Sequence, residues 1–192
     1  MPRKTRARLD KNAVVQAAVD LVNIEGVEAL TLSRLAKELR IQTPSLYNHV
    51  EGLPGLHREL AVTNAKLLAD RLNEAAIGKS GFELFMEVAQ AYRNYVKEYP
   101  GLYMSTLRAS GNQPVQDKDL KLEEERAVKI GMAVISSLGL QGEDAIHGVR
   151  AFRSMVHGFA TLEAAGGFGI PLDCDESFRR IVGALFAGLQ RN

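Results

Sequence analysis

The chain contains no tryptophan and only one cysteine, Cys174, among its 192 residues. A lone cysteine excludes an internal disulfide and favours a reducing, cytoplasmic location, where it serves most simply as a small residue at a helix start. The basic N-terminus is not followed by an apolar segment, which argues against a secretory signal. No apolar run approaches the roughly 20 residues of a membrane-spanning helix. We therefore expect a cytoplasmic protein without a membrane partner.

The chain also has almost no net charge, +1 at neutral pH, although 46% of its residues are hydrophobic. Such a composition indicates a globular protein, and this length allows one large domain or two small ones. A nearly neutral protein that binds nucleic acid must concentrate its positive charge. The N-terminal tail, residues 1–11, does so with five cations against Asp10 alone: Arg3, Lys4, Arg6, Arg8 and Lys11.

Strand-like alternation is scarce, and apolar residues recur at helical spacing almost throughout the chain. The pattern predicts an all-α fold of about nine helices. The predicted helices run from 11 to 25, from Thr31 or Ser33 to Leu39, and over 43–50, 56–76, 82–99, 102–109, 115–138, 142–165 and 175–189. The predicted loops with proline or glycine are 52–55, 110–114 and 166–171.

Residues 31–50, TLSRLAKELRIQTPSLYNHV, indicate two short helices joined by a tight turn. Thr43 fits an N-cap and Pro44 a first helical position, where the missing N–H costs nothing. Leu46 and Val50 share the inward face of the second of these helices. The polar side chains left outside are Ser45, Tyr47, Asn48 and His49. This arrangement is typical of a helix-turn-helix that holds one helix against DNA.

The most specific sequence feature is the pentad Leu-Tyr-x-His-Val at 46–50, which closely follows Pro44. With it, the first 70 residues resemble the DNA-binding domain of the TetR (tetracycline repressor) family of bacterial regulators. The other matching positions are Ala17, Ala18, Gly26, Leu30, Thr31, Leu32, Ser33, Leu35, Ala36, Leu39 and Leu60. The segments 157–159 (His-Gly-Phe) and 166–168 (Gly-Gly-Phe) are similar to a ligand domain named for a Trp-His-Gly motif, although this chain lacks the tryptophan.

The resemblance implies a DNA-binding domain at 1–55 and an effector-binding and dimerisation domain at 56–192, joined by a long fourth helix. It also implies a homodimer whose two third helices enter successive major grooves of a palindromic operator. The candidates for base edges and nearby phosphates are Gln42, Thr43, Ser45, Asn48 and Ser33. Tyr47 and His49 resemble phosphate-contacting positions of the family, and Thr31 and Arg34 could add phosphate contacts. Leu53 occupies a position where many members have a phosphate-binding lysine.

The final helix is apolar around its whole circumference from Ile181 to Leu189. Such a helix must be covered on more than one face, which favours dimerisation in a four-helix arrangement with the preceding helix. The alternative is a helix that is simply buried within one subunit. The candidate interface residues are Phe178, Val182, Gly183, Phe186 and Ala187.

The middle helices carry aromatic residues and methionines that suit a largely apolar small molecule. The candidate effector-pocket residues are Phe85, Tyr92, Tyr95, Tyr103, Met132, Phe152 and His157. The same residues are also what any helical core needs, and residues of this kind are core more often than pocket. His147 and His157 lie about 80° apart around a helix, so we expect no metal site, and no cofactor is predicted.

The sequence therefore predicts a DNA-binding transcriptional regulator, in the form of a repressor that is released by a small-molecule effector. One alternative is a DNA-binding protein without an effector, either architectural or constitutive. An enzyme is disfavoured, because no Ser-His-Asp or Cys-His arrangement, phosphate-binding glycine loop or metal-ligand cluster is recognisable.

Overall fold

The computed structural model describes residues 9–109 and 117–190, with only the backbone described for 107–109. Within these ranges the chain forms nine α-helices, a short 3₁₀ turn at Val27–Ala29 and no strand, which confirms the all-α prediction. The helices are α1 Lys11–Glu25, α2 Leu32–Leu39, α3 Thr43–Leu46, α4 Gly52–Ala76, α5 Gly81–Glu98, α6 Pro100–Ala109, α7 Lys118–Ser136, α8 Gly142–Ala164 and α9 Cys174–Leu189. None of them is long and apolar enough to cross a membrane.

The largest departures from the predicted bounds surround α3 and α4. The third helix ends at Leu46 instead of Val50, and residues 52–55, predicted as a loop, form the first turn of α4. Pro54 is tolerated there because the first N–H groups of a helix have no acceptor within it. The predicted loop at 166–171 is present. The predicted loop at 110–114 and the predicted start of the seventh helix at 115 lie outside the described residues.

The described chain divides into two compact units. The first contains residues 9–63 and 101–109, and the second contains residues 64–100 and 117–190. Helix α4 therefore runs through both units, and α6 belongs almost entirely to the first. The predicted domain boundary differs, because it assigned all residues beyond 55 to the C-terminal domain, whereas residues 56–63 and 101–109 belong to the first unit.

The core of the first unit is built on the apolar stripe of α1. Asp10 caps this helix by accepting a hydrogen bond from the N–H of Ala13, and Gly26 ends it at a φ of 84°, a conformation that favours glycine. The buried side chains from α1 and its neighbours include Val14, Ala18, Val22, Leu35, Leu46, Leu56, Leu60 and Leu102.

Helix α5 is central to the second unit, where it packs against α7, α8 and α9. Its buried face recurs at helical spacing, as the amphipathic pattern requires. The buried side chains of this unit include Phe85, Val88, Tyr92, Tyr95, Ile135, Phe152, Val156, Phe178 and Val182.

Candidate nucleic-acid interface

The turn between α2 and α3 is set by the backbone at Arg40, which adopts a left-handed conformation with a φ of 55°. The N–H of Arg40 donates to the carbonyl oxygen of Lys37 at 3.2 Å, and that of Ile41 donates to Ala36 at 3.0 Å. These bonds close the C-terminus of α2 and redirect the chain into α3. The predicted helix-turn-helix is therefore present.

Two apolar anchors hold the segment that begins at α3 against the first unit. Leu46 is fully buried and Val50 is 5% exposed, as predicted. Beyond Leu46 the chain continues in tight turns, with the N–H of His49 and of Val50 both donating to the carbonyl oxygen of Leu46. This tight winding replaces the last turn of the longer third helix that the sequence predicted.

The polar side chains of this segment lie on its outer side. Tyr47 is 61% exposed. Gln42 and Asn48 are exposed, whereas Thr43, Ser45 and His49 are half-buried. The N-cap prediction needs one correction: α3 begins at Thr43, and Gln42 occupies the cap position without a side-chain hydrogen bond. The surface therefore presents hydroxyl, amide and imidazole groups, which suit both base edges and phosphates.

On α2, Thr31 and Arg34 already have structural partners. The Thr31 hydroxyl oxygen accepts a hydrogen bond from the N–H of Arg34 at 3.0 Å and so caps the helix. The guanidinium of Arg34 contacts Glu25 at 2.5 Å and Glu38 at 2.9 Å. A phosphate contact by Arg34 would have to compete with these carboxylates, while Ser33 is exposed on the same helix.

Sequence reasoning passed over two further cations near this surface, Lys37 and Arg40, both of which are exposed. Lys37 lies one helical turn after Ser33, so the two side chains share a face of α2. That spacing could have revealed Lys37 as a companion of the predicted contacts. Arg40 could not be recognised from spacing, because its placement depends on the left-handed turn.

The basic tail is only partly described, since residues 1–8 lie outside the described ranges. Lys11 is on α1, where its ammonium contacts Glu59 at 2.7 Å. Leu53 is half-buried in the first turn of α4. Arg58, in the next turn of α4, contacts the carboxylate of Glu59 at 2.8 Å.

Several of the predicted effector-pocket residues have packing or hydrogen-bonding partners within the protein. Phe85 and Phe152 are buried and pack edge to face, with ring centroids 4.9 Å apart. The Tyr95 hydroxyl donates to Asn64 Oδ1 at 2.7 Å. Tyr103 is buried in the first unit, whereas the other six residues belong to the second.

The remaining three predicted pocket residues are buried or half-buried. Tyr92 is buried, and Met132 and His157 are half-buried. Burial lowers the pKa of His157, and the neighbouring charge of Arg153 lowers it further. Both effects favour the neutral form of this half-buried histidine.

A cavity of about 300 Å³, partly open to solvent, lies at the loop between α8 and α9. Its walls are mainly apolar, and its polar groups come from the first turn of α9. The lining residues are Phe159, Gly167, Phe168, Gly169, Ile170, Leu172, Cys174 and Ser177. The sequence analysis related residues 157–159 and 166–168 to a ligand-domain motif but did not include any of these lining residues among the candidate pocket residues.

An ion cluster around the buried Arg93 joins the elements that surround this cavity. Arg93, on the apolar face of α5, is 1% exposed and contacts Glu163 at the end of α8 and Asp175 at the start of α9. Its guanidinium also lies 5.4 Å from the ring centroid of Phe159 and 4.9 Å from that of Phe178. Sequence reasoning missed this cluster, although an arginine within the apolar stripe of α5 was a signal.

The predicted dimer surface on α9 requires a correction. Phe178 and Val182 are buried in their own protomer, and the half-buried Phe186 packs edge to face against Phe82 at 5.0 Å. Of the predicted residues, Ala187 is exposed and Gly183 is half-exposed. The apolar stripe of α9 thus serves the internal core, and the small residues form the outer side.

The two units therefore combine a helix-turn-helix, with its polar face outward, and a helical unit that contains an apolar cavity. Among the described residues, no group of three or more His, Cys, Asp and Glu side chains could hold a metal ion. A helix-turn-helix joined to a larger helical unit is typical of DNA-binding regulators.

Comparisons with known proteins identify the family. The tetracyclin repressor-like C-terminal domain matches residues 85–185. The uncharacterized HTH-type transcriptional regulator Rv0681 of Mycobacterium tuberculosis is 33% identical over 187 residues, covering 96% of this chain and 84% of that protein. The uncharacterized HTH-type transcriptional regulator YobS of Bacillus subtilis is 31% identical over 188 residues, covering 97% of this chain and 96% of that protein. The structure of BioQ with its natural double-stranded DNA operator superposes with a TM-score of 0.68 at 22% identity, covering 96% of this chain and 100% of that one.

These matches span both units, so the protein is a helix-turn-helix transcriptional regulator. More specifically, the chain belongs to the tetracycline repressor (TetR) family, as its N-terminal pentad predicted.

Proposed function

We propose that this protein is a cytoplasmic repressor that binds a palindromic DNA operator as a homodimer and is released by a largely apolar small molecule. The observation that carries the proposal is the geometry after α2. Leu46 and Val50 anchor the segment, so that Tyr47 and Asn48 project from a fixed backbone. A rigid presentation of polar groups is what sequence readout in a major groove requires.

The residues divide into two proposed roles. Gln42, Thr43, Ser45 and Asn48 read base edges, assisted by Ser33 on α2, because amides and hydroxyls pair with the donors and acceptors of the major groove. Tyr47, His49 and Thr31 position the protein on phosphates, and Arg34 joins them once it exchanges a carboxylate for a phosphate. The basic tail adds salt-dependent affinity.

The proposed dimer interface uses the outer sides of α8 and α9. A Cβ placed on Gly158, Gly183 or Gly188 would meet no atom within 4 Å. Ala184 and Ala187 are exposed beside the two glycines of α9. Small residues allow the helices of a second copy to approach closely, and a two-fold dimer matches a palindromic site. Light scattering should give twice the monomer mass.

The decisive experiment is the selection of bound fragments from a random double-stranded DNA pool by the full chain. A palindromic consensus with half-sites about one helical turn apart is expected. Scattered sequences without a consensus would contradict specific recognition by a dimer.

For the effector we propose the cavity at the α8–α9 loop. Its volume, about 300 Å³, lies at the lower end of the range for small-molecule sites, and rings and aliphatic side chains dominate its walls. The uncharged dye N-phenyl-1-naphthylamine is a suitable probe, because its fluorescence rises in apolar surroundings. Cys174→Phe should fill the cavity and abolish dye binding, whereas Cys174→Ser, which barely changes the volume, should preserve it.

The alternative of a DNA-binding protein without an effector is favoured by one observation. The central helices are packed where the sequence predicted a pocket, as the contact between Phe85 and Phe152 shows. The two functions differ in linkage, because a ligand that weakens DNA binding must itself bind more weakly when DNA is present. If the dye binds and operator affinity does not change, the effector-free function is supported.

A further inference from the structure

The start of α6 is fastened to the end of α1 by one side chain. Asn23, three residues before Gly26, accepts a hydrogen bond on Oδ1 from the backbone N–H of Leu102 at 2.9 Å. This N–H belongs to the first turn of α6, where no carbonyl of the helix can reach it. Asn23 is half-buried and Leu102 is fully buried, so the bond is shielded from water.

The two backbones are also in direct contact at this point. A Cβ placed on Gly101 would lie 1.8 Å from the carbonyl oxygen of Val22 and 2.4 Å from its carbonyl carbon. Every residue except glycine would therefore push α6 away from α1. Gly101 and Asn23 together form the α1–α6 joint.

Asparagine is not a favourable residue for the interior of a helix. The C-terminus of α1 does not need the Asn23 side chain, because Gly26 closes the helix through its own N–H to Val22. The contact with Leu102 thus explains the presence of asparagine at this position.

The α1–α6 joint is connected to α2 and α3, the two helices of the helix-turn-helix. Glu25, two residues after Asn23, contacts Arg34 of α2 with both carboxylate oxygens, at 2.5 Å and 3.2 Å. Helix α2 in turn packs on α3. A displacement of α6 would therefore be passed to the helix-turn-helix through α1 and this ion pair.

Helix α6 is also the element through which the chain returns to the first unit. It begins at Pro100, and only Tyr99 separates it from α5 of the second unit. A change at the end of α5 thus reaches α6 along the covalent chain.

We propose that Asn23 is a positioning residue for operator recognition: its bond to Leu102 holds α6 on α1 and thereby sets the half-site spacing that the dimer accepts. This inference rests on the proposed function, since it presupposes a dimer on a two-part operator. It concerns residues that neither read DNA nor contact the effector cavity.

The test compares two substitutions of nearly equal size in the full chain. Asn23→Asp keeps the acceptor and adds a charge that the N-terminus of α6 favours and the C-terminus of α1 disfavours. Because these two effects oppose each other, operator affinity should stay close to that of the wild type. Asn23→Leu removes the acceptor, and operator affinity should fall by about tenfold, within the range of coupling between linked sites. The leucine variant should also lose much of the preference for native half-site spacing over sites lengthened or shortened by a base pair.

Amide hydrogen exchange provides an independent measurement on the free protein. Exchange at Leu102 should accelerate in the leucine variant and not in the aspartate variant. If Asn23→Leu does not fold, Asn23→Ser, whose hydroxyl is too short to reach Leu102, takes its place.

Three results would overturn the inference. One is a leucine variant with wild-type affinity and spacing preference. The second is an equal loss in both variants, because the acceptor would then be irrelevant. The third is lost affinity with intact spacing preference, which indicates a purely structural role. Failure of the wild type to select any operator would instead contradict the proposed function and is recognised before any variant is made.

Discussion

The guanidinium of Arg93 meets the carboxylate of Glu163 through two parallel hydrogen bonds, Nε to Oε2 at 2.7 Å and Nη2 to Oε1 at 2.6 Å. The Arg93 side chain is 1% exposed and that of Glu163 is 13% exposed. A second carboxylate, Asp175, contacts Nη1 at 2.8 Å. Through these two carboxylates, Arg93 joins α5 to both ends of the α8–α9 loop. Because the pair of Arg93 and Glu163 is buried, we expect it to contribute more to the free energy of unfolding than an exposed ion pair does.

Glu163→Gln should destabilise the protein by about 3–5 kcal/mol, because it leaves a buried guanidinium with incomplete compensation. The measurement is the free energy of unfolding from urea denaturation. Glu98→Gln is the matched control, since Glu98 makes a similar two-pronged contact with Arg71 but both side chains are 47% exposed. The control should cost at most about 1 kcal/mol, and equal losses would contradict the role assigned to burial.

The stability contributed by Glu163 should depend on pH. The hydrogen bonds from Arg93 hold the pKa of Glu163 below its ordinary value of 4.5. A carboxyl whose pKa is lowered by folding stabilises the folded state above its unfolded pKa, and this stabilisation is lost as the pH falls through the folded pKa.

The stability difference between wild type and Glu163→Gln should therefore be constant near neutral pH and shrink below about pH 4.5. Denaturation curves at several pH values give this difference directly. A difference that stayed unchanged down to about pH 2 would show that Glu163 does not stabilise the fold through its charge.

Tyr95→Phe should remove a buried hydrogen bond without changing the packing. The hydroxyl donates to Asn64 Oδ1 at 2.7 Å, Tyr95 is 1% exposed and Asn64 is 8% exposed. A loss of about 1–3 kcal/mol in the free energy of unfolding is expected. Tyr99→Phe, at a half-buried tyrosine on the same helix end, is the control and should cost less; the reverse order would refute the assignment.

Asn48→Ala and Tyr47→Phe should affect DNA binding in different ways. If Asn48 reads a base, its loss should cost about 1–3 kcal/mol on the consensus and relax the preference at one position. If Tyr47 contacts a phosphate, its loss should weaken binding to all sequences alike. Binding to consensus and scrambled duplexes separates the two patterns, with Asn73→Ala, an exposed change on α4, as control.

Leu53→Lys should strengthen DNA binding and increase its dependence on salt. The change places a cation in the first turn of α4, and one added phosphate contact makes the slope of log affinity against log salt more negative by about 1. Leu53→Gln, which adds polarity without charge, should leave the slope unchanged. An unaltered slope for the lysine variant would mean that this position does not approach a phosphate.

Several features of the fold followed from residues close together in the chain. Thr31, one of the two predicted starts of the second helix, caps α2, and Leu46 and Val50 are buried as their spacing predicts. The pentad at 46–50 also identified the family. These inferences succeeded because caps and amphipathic faces depend on local hydrogen bonding and on the 3.6-residue period.

Other features depended on partners that are distant in the sequence. An apolar stripe indicates that one face of a helix is buried, but it does not identify the partner that buries it. Phe178 was therefore expected at a dimer interface, whereas in the structure it is buried within its own protomer. Likewise the ion pair of Arg93 joins residues 70 apart, and the bond from Leu102 to Asn23 joins residues 79 apart.

The amino-acid sequence alone thus determined most of the helices, the helix-turn-helix and the family, because each depends on local sequence patterns. Only the tertiary structure decided that α6 belongs with the helix-turn-helix, that the central aromatic residues are core, and that the cavity lies at the α8–α9 loop. Those outcomes follow from which buried faces meet, and many packings share the same periodicity.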